Sequence, residues 1–83
     1  MKTSRQDILD TVLMLLRSIA PELNAETLEA GRPLRSQVDL DSMDWLNFLI
    51  SLHQHFGVEI PEADYAQLVS LDDVVDYLQN RLS

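Results

Sequence analysis

Cysteine is absent from this sequence of 83 residues. The absence excludes disulfide bonds and thiolate metal sites, and it gives no reason to expect an oxidising compartment. No apolar run approaches the roughly 20 residues of a membrane span, and the polar first residues do not form a signal peptide. We therefore expect a cytoplasmic protein of one domain, residues 1–83, and the start at Met1 favours a stand-alone chain.

Glycine and basic residues are also scarce. With only two glycines, the chain cannot form the glycine-rich loops that cradle phosphates. Residues 36–83 hold nine acidic residues and a single basic residue, Arg81, so this part accounts for the net charge of −8. Such a charge argues against nucleic acid as a partner and favours proteins with basic docking faces. The alternative is that the acidic charge only keeps a small protein in solution.

Apolar residues at helical spacing dominate what is present, so we predict an all-α fold. Three main helices, one short helix and a long first loop would form a four-helix bundle. The first helix is expected to begin near Thr3 or Ser4, within a capping-box pattern, and to end before Pro21. Residues 20–41 form the long loop, with one helical turn expected between residues 24 and 30.

Caps and breakers place the remaining helices. The second helix is predicted from Ser42 to Phe56, and Gly57 is suited to end it. A brief helix over residues 62–67 and a last helix preceded by a second capping box at Ser70 complete the fold.

The second helix has too many apolar residues for one buried stripe. They cover roughly 220° of its circumference, whereas a surface helix needs about 100°. Trp45 falls on the arc with the largest side chains, which predicts a place in the core. Met43, Leu46 and Ile50 fall on the adjoining arc, and we expect them to be partly exposed contacts for a partner. We name these three residues the apolar face.

Ser42 lies where an acidic loop meets this helix, and it allows two interpretations. A serine there caps the helix, a role worth about 1 kcal/mol. An anion attached to the same hydroxyl would be stabilised by free backbone N–H groups and the helix dipole, so Ser42 is expected to have either role or both. Nucleophilic catalysis is not expected, because His53 and His55 lie three turns further along and cannot fold back as a base.

Metal sites are not expected either. His53 and His55 point about 200° apart on a helix, so they cannot chelate one ion together. A calcium loop starting at Asp39 fails, because Met43 replaces a ligand and Asp44 replaces the required glycine.

The order of these motifs resembles that of the acyl carrier protein family. The resemblance rests on Asp41-Ser42-Met43-Asp44, on Phe56-Gly57-Val58-Glu59-Ile60-Pro61 and on the closing Leu71-Asp72-Asp73-Val74-Val75-Asp76-Tyr77-Leu78. With the first helix and the long loop, it covers nearly the whole chain. It implies a four-helix bundle that carries acyl groups and does not itself catalyse a reaction.

The resemblance also implies a cofactor and a set of site residues. Ser42 would receive 4′-phosphopantetheine from coenzyme A through a phosphopantetheinyl transferase, and the thiol of this arm would carry acyl groups as thioesters. Asp41 would help the transferase and its magnesium to engage. Enzymes that transfer or ligate acyl groups would be the other partners of a monomeric carrier. The residues expected to contact partners are Asp39, Met43, Asp44, Leu46 and Ile50.

Two departures from the family pattern indicate a specialised member. Asp39 stands where the family usually has glycine. The acidic stripe that many members carry on the second helix is also missing. Its positions are Asn47, His53, Gln54 and His55. We therefore predict a carrier for a specialised lipid or secondary-metabolite pathway rather than for ordinary fatty acid synthesis. The alternative is an unmodified helical docking module that uses the apolar face.

Overall fold

The computed structural model describes residues 4–82, and helices form its regular structure. The three main helices are α1 (Arg5–Ile19), α3 (Ser42–Phe56) and α4 (Leu71–Leu82). Two short helices lie between them: α2 (Leu34–Gln37) and a 3-10 helix (Glu62–Gln67). The all-α prediction is confirmed, with one short helix more than expected. No helix within residues 4–82 is long and apolar enough to cross a bilayer.

Side-chain caps and one glycine set the ends of the main helices. Ser4 Oγ accepts the N–H three residues on (3.1 Å between O and N), so α1 begins at one of the two predicted positions. Thr3, the other position, lies outside the described residues. At α4, Ser70 Oγ accepts the N–H of Asp73, and the Asp73 carboxylate accepts the N–H of Ser70, which completes the predicted capping box. Gly57 ends α3 with φ of 67°, a left-handed conformation that glycine adopts without strain.

The core lies where α1 packs against both α3 and α4. Four side chains of α3 are buried in it: Trp45, Phe48, Leu49 and Leu52. The predicted core position of Trp45 is therefore confirmed, and its ring centre lies 5.4 Å from that of Phe48. The long loop adds four more buried side chains, of which Ala20 lies at its start and Leu34, Val38 and Leu40 lie in its second half. Burying each side chain of this kind stabilises the fold by roughly 1.5–3 kcal/mol, so the loop is fixed to the core just before Ser42.

The helical turn of the long loop does not lie where the sequence predicts it. Residues 24–30 form no helix, and a single turn closes there through a hydrogen bond from Thr27 N–H to Asn24 O (3.2 Å). The helix in this loop is α2 instead. Its position follows from Leu34 and Val38, which are four residues apart and both buried in the core.

The side chain of Gln37 holds the long loop closed. Its Oε1 accepts the N–H of Glu29 (2.6 Å), and its Nε2 donates to the carbonyls of Glu29 (2.8 Å) and Arg32 (3.1 Å). Two backbone hydrogen bonds tie residues 30–34 to residues 69–72. One glutamine thus closes the segment that connects the loop to the start of α4.

Gln37→Ala should lower the free energy of unfolding by about 2 kcal/mol, because it leaves the Glu29 N–H and the Arg32 carbonyl without a partner. Urea unfolding followed by tryptophan fluorescence measures the difference. Gln54→Ala is the matched control, since the Gln54 side chain is exposed on α3 and has no hydrogen bond with a residue between 4 and 82. Equal unfolding midpoints for the two variants would contradict the role given to Gln37.

The 3-10 helix buries none of its own residues and is held to α4 through Asp64. The Tyr77 hydroxyl donates to Asp64 Oδ2 (2.6 Å), and Arg81 lies 3.3 Å from the same oxygen. The guanidinium carbon of Arg81 also lies 4.7 Å from the centre of the Tyr77 ring. Burial raises the pKa of Tyr77, and the hydrogen bond to Asp64 raises it further, while the charge of Arg81 acts in the opposite direction.

These contacts predict a loss of stability in alkaline solution. The pKa of Tyr77 lies above the ordinary 10.0 in the folded chain. Its contribution to stability is therefore complete below about pH 10 and is lost as the pH rises through the raised value. Urea unfolding at a series of alkaline pH values measures the decline, and Tyr77→Phe should make it shallower. Tyr65→Phe serves as the control, because the Tyr65 hydroxyl has no hydrogen bond within residues 4–82. A decline that Tyr65→Phe reduces as much as Tyr77→Phe would overturn the assignment.

Candidate functional site at the start of α3

The N-terminus of α3 is capped by Asp41, so the interpretation of Ser42 as the cap is wrong. Asp41 Oδ1 accepts the N–H of Asp44 at 2.8 Å from an extended backbone conformation. The N–H of Trp45 donates to the Asp41 carbonyl (3.0 Å) and completes the first turn. Aspartate caps a helix at least as well as serine, and its charge is favoured at the positive end of the helix dipole. Ser42 is consequently the first residue inside α3.

This arrangement leaves the Ser42 hydroxyl free. The residue is exposed, and its side chain makes no hydrogen bond with the part of the chain that the structure describes. The N–H groups of Ser42 and Met43 have no acceptor within the helix, because they belong to its first turn. The Asp41 carboxylate takes the N–H of Asp44 in the same turn. An exposed hydroxyl beside free N–H groups can carry an attached phosphate, whose negative charge the helix dipole stabilises.

The apolar face is exposed, as the sequence predicts. The exposed fractions are 66% for Met43, 40% for Leu46 and 49% for Ile50. Asp39 is exposed in the loop before α3, and Asp44 is half-buried in its first turn. A surface that combines apolar side chains with carboxylates suits a partner with apolar and basic side chains. The partner contacts of these five residues stay a prediction.

A groove of about 410 Å³ opens beside α3. It runs between α3 and the segment that leads from Gly57 into the 3-10 helix. Its lining residues are Leu49, Ile50, His53, Glu59, Ile60, Pro61 and Tyr65. We name it the α3 groove. Most of its wall is apolar, and its charged or titratable lining residues are His53, Glu59 and Tyr65.

Helical spacing leads from Ser42 to the α3 groove. Residues 42, 46, 49 and 53 follow one another at steps of four, three and four, so they lie along one line on α3. With a rise of about 1.5 Å per residue, Leu49 and His53 lie roughly 10 and 17 Å from Ser42 along the helix axis. A flexible group attached to Ser42 can reach the groove along this line.

The two histidines lie apart, in agreement with the sequence prediction. His53 lines the α3 groove, and its Nδ1 lies 2.9 Å from the carbonyl oxygen of Val58. His55 is exposed and packs edge-on against Phe56, with ring centres 5.3 Å apart. Among residues 4–82, no group of three or more histidine, aspartate or glutamate side chains is placed to hold a metal ion.

A family model described as a phosphopantetheine attachment site matches residues 10–78. The chain belongs to this family of acyl carrier proteins. The acyl carrier protein of Campylobacter hominis is 29% identical over 75 residues, which cover 90% of this chain and 89% of that protein. The acyl carrier protein of Campylobacter lari is 42% identical over 40 residues, 48% of this chain and 52% of that protein. A solution structure of a protein assigned as an acyl carrier protein, from Anaplasma phagocytophilum, has a TM-score of 0.84 at 26% identity, and the match covers 100% of this chain and 97% of that one.

An acyl carrier protein carries acyl groups on 4′-phosphopantetheine and leaves the catalysis to its partners. These partners are phosphopantetheinyl transferase and enzymes that handle acyl groups. The start of α3 fits such a cofactor, because a free hydroxyl, two free N–H groups and a nearby apolar groove all lie on the same side of one helix. The family assignment agrees with the resemblance found in the sequence.

The sequence predicts Ser42 as the attachment position, which stays a prediction, and it does not indicate most of the groove. It assigns no function to residues 58–61 or to Leu49. The spacing of residues 42, 46, 49 and 53 was the available signal for the α3 wall. The opposite wall depends on where the 3-10 helix packs, and that is set by the distant contact between Asp64 and Tyr77.

The capping role of Asp41 predicts a contrast between two substitutions. Asp41→Ala should lower the free energy of unfolding by about 1 kcal/mol, whereas Asp41→Asn should stay within a few tenths, because asparagine caps as well as aspartate. Thermal and urea unfolding measure both values. Asp39→Ala removes the same charge from an exposed residue without a hydrogen bond among residues 4–82, and so it controls for the change in net charge. A destabilisation by Asp39→Ala as large as that by Asp41→Ala would show that the cap is not the cause.

Proposed function

We propose that this acyl carrier protein is activated at Ser42, whose Oγ forms a phosphodiester with 4′-phosphopantetheine. The exposed Ser42 hydroxyl, left free by the Asp41 cap, is the observation that carries the proposal. The N–H groups of Ser42 and Met43 would lie beside the phosphate and stabilise its charge. When bound, the cofactor supplies the thiol that holds the acyl group, which a chain without cysteine cannot supply itself.

Asp41 has two separate functions in this proposal. Its carboxylate caps α3 and thereby keeps the Ser42 hydroxyl free. Asp41 is also exposed, so it can face the transferase and its magnesium while the transfer takes place. A positively charged transferase face is favoured by the surplus of acidic residues in this part of the chain.

The apolar face is proposed as the docking surface for the transferase and for acyl-transferring or acyl-ligating enzymes. Met43 and Leu46 lie within one turn of Ser42, so a partner that binds them holds the attachment point near its own active site. The acidic side chains of Asp39 and Asp44 would meet basic side chains at the rim of the contact. Docking through this surface needs no second copy of the chain, and we propose a monomeric carrier.

The pathway is proposed to be a specialised lipid or secondary-metabolite pathway. The support is the composition of α3, where Asn47, His53, Gln54 and His55 occupy positions that are acidic in many carriers of fatty acid synthesis. Enzymes that recognise an acidic stripe would have few carboxylates to bind at these positions of α3. The cytoplasmic location and the assignment of residues 1–83 to one carrier domain stay predictions within the same proposal.

Intact-mass spectrometry tests the attachment site. Incubation with coenzyme A, magnesium and a broad-specificity phosphopantetheinyl transferase should add one phosphopantetheine group to the wild-type chain. Ser42→Ala should gain no mass while keeping the wild-type circular dichroism spectrum. Ser51→Ala is the matched control and should be modified normally, because the Ser51 hydroxyl donates to the Phe48 carbonyl (2.7 Å) within α3.

Two results would contradict the proposal. A wild-type chain that gains no mass with several transferases would favour the unmodified docking module. A Ser42→Ala variant that still gains one group would move the attachment to another residue.

A further inference from the structure

His53 closes the far end of the line that leads from Ser42 into the α3 groove. Its Nδ1 lies 2.9 Å from the Val58 carbonyl oxygen. A carbonyl oxygen only accepts hydrogen bonds, so Nδ1 carries the proton. In the neutral ring, Nε2 is then the free nitrogen and acts as an acceptor. The backbone at Val58 thus fixes the tautomer of a ring that lines the groove.

Apart from His53, the charge that lines the groove is negative. The carboxylate of Glu59 lines the same groove and makes no ion pair with a residue among 4–82. No lysine or arginine is among the lining residues. The groove therefore offers the Nε2 atom of His53, an acceptor in the neutral ring, and the unpaired carboxylate of Glu59, two exposed groups beside a largely aliphatic wall.

We propose that the α3 groove binds a short α-aminoacyl group, carried on the arm, through its ammonium group. The proposal rests on the activation of Ser42 proposed above. An ammonium group donates hydrogen bonds to acceptors such as Nε2 of His53 and is attracted by the Glu59 carboxylate. Both side chains are exposed, so water solvates them beside an aliphatic cargo, and only an ammonium group would gain a charge-assisted contact with them. The cargo is short, because the arm itself occupies part of the line between Ser42 and His53.

Three cargoes of nearly equal size distinguish binding through an ammonium group from binding through a hydroxyl group or through apolar contacts alone. Alanyl, lactyl and isobutyryl groups differ only in whether an ammonium, a hydroxyl or a methyl group stands beside the carbonyl. Each is linked to coenzyme A through an amide, which does not hydrolyse, and is transferred to the chain with the transferase. Intact mass verifies the loading before any other measurement, so a failure of attachment is recognised at this step and would overturn both proposals.

NMR spectra recorded at a pH at which the histidine rings are neutral report the contact between the cargo and His53 directly. With the alanyl group, the Nε2 resonance of His53 and the methyl resonances of Ile50 and Ile60 should shift. With isobutyryl, the shift of the His53 Nε2 resonance should be lost, because a methyl group donates no hydrogen bond to it. A lactyl group that shifts His53 as much as alanyl would overturn the assignment to an ammonium group. Equal responses to all three cargoes would overturn the inference and leave the activation of Ser42 intact.

Two substitutions with a matched control complete the test. Glu59→Gln keeps the size of the side chain and should remove the preference for alanyl over lactyl. His53→Phe should reduce the preference for alanyl over isobutyryl, because the Glu59 carboxylate still attracts the ammonium group. His55→Phe, on the opposite side of α3, should leave the responses of Ile50 and Ile60 as in the wild type. An alanyl preference that survives both Glu59→Gln and His53→Phe would refute the role of these side chains.

Discussion

The hydrogen bond from Asp44 N–H to the Asp41 carboxylate is the contact on which the site depends. A helix needs a cap, and a serine at this junction could have served. A serine that caps, however, points its oxygen at a backbone N–H and would lose that bond when a phosphate is attached. Placing the cap one residue earlier removes the conflict. The helix keeps the same N-terminal hydrogen bond whether or not Ser42 is modified. Modification of the Ser42 hydroxyl therefore breaks no hydrogen bond that stabilises the helix.

The same helix must also divide its surface between folding and recognition. Trp45, Phe48, Leu49 and Leu52 are buried in the core that α1 and α4 complete, and this burial fixes the rotation of α3 about its axis. Once the rotation is fixed, the apolar face cannot enter the core and stays in solvent. Exposed apolar area of this kind favours association. The high negative charge opposes self-association and leaves the surface available to partners of opposite charge.

Local patterns in the sequence predicted the main helices well, because their ends are set by nearby residues. Ser4, Ser70 and Gly57 act within three or four positions of themselves, and the exposure of the apolar face follows from the helical period of α3. The long loop was harder. The hydrogen bonds of Gln37 connect residues up to eight positions apart, and no local sequence pattern predicts them. The cap at Asp41 shows a different limit, since Asp41 and Ser42 are both good capping residues and only the backbone conformation decides between them.

Ile50 connects the two functions of α3. It belongs to the exposed apolar face and also lines the α3 groove. A partner that docks on Met43 and Leu46 therefore reaches one wall of the groove in the same contact. The opposite wall is the segment from Glu59 to Tyr65, and the 3-10 helix in this wall buries no residue of its own. Its Tyr65 packs against the core, and its Asp64 is held by Tyr77 and Arg81. The opposite wall is anchored in the core as well, because Ile60 and Tyr65 pack against it and Val58 and Leu68 are buried. Under the proposals above, partner docking and cargo binding therefore share a single side chain, Ile50.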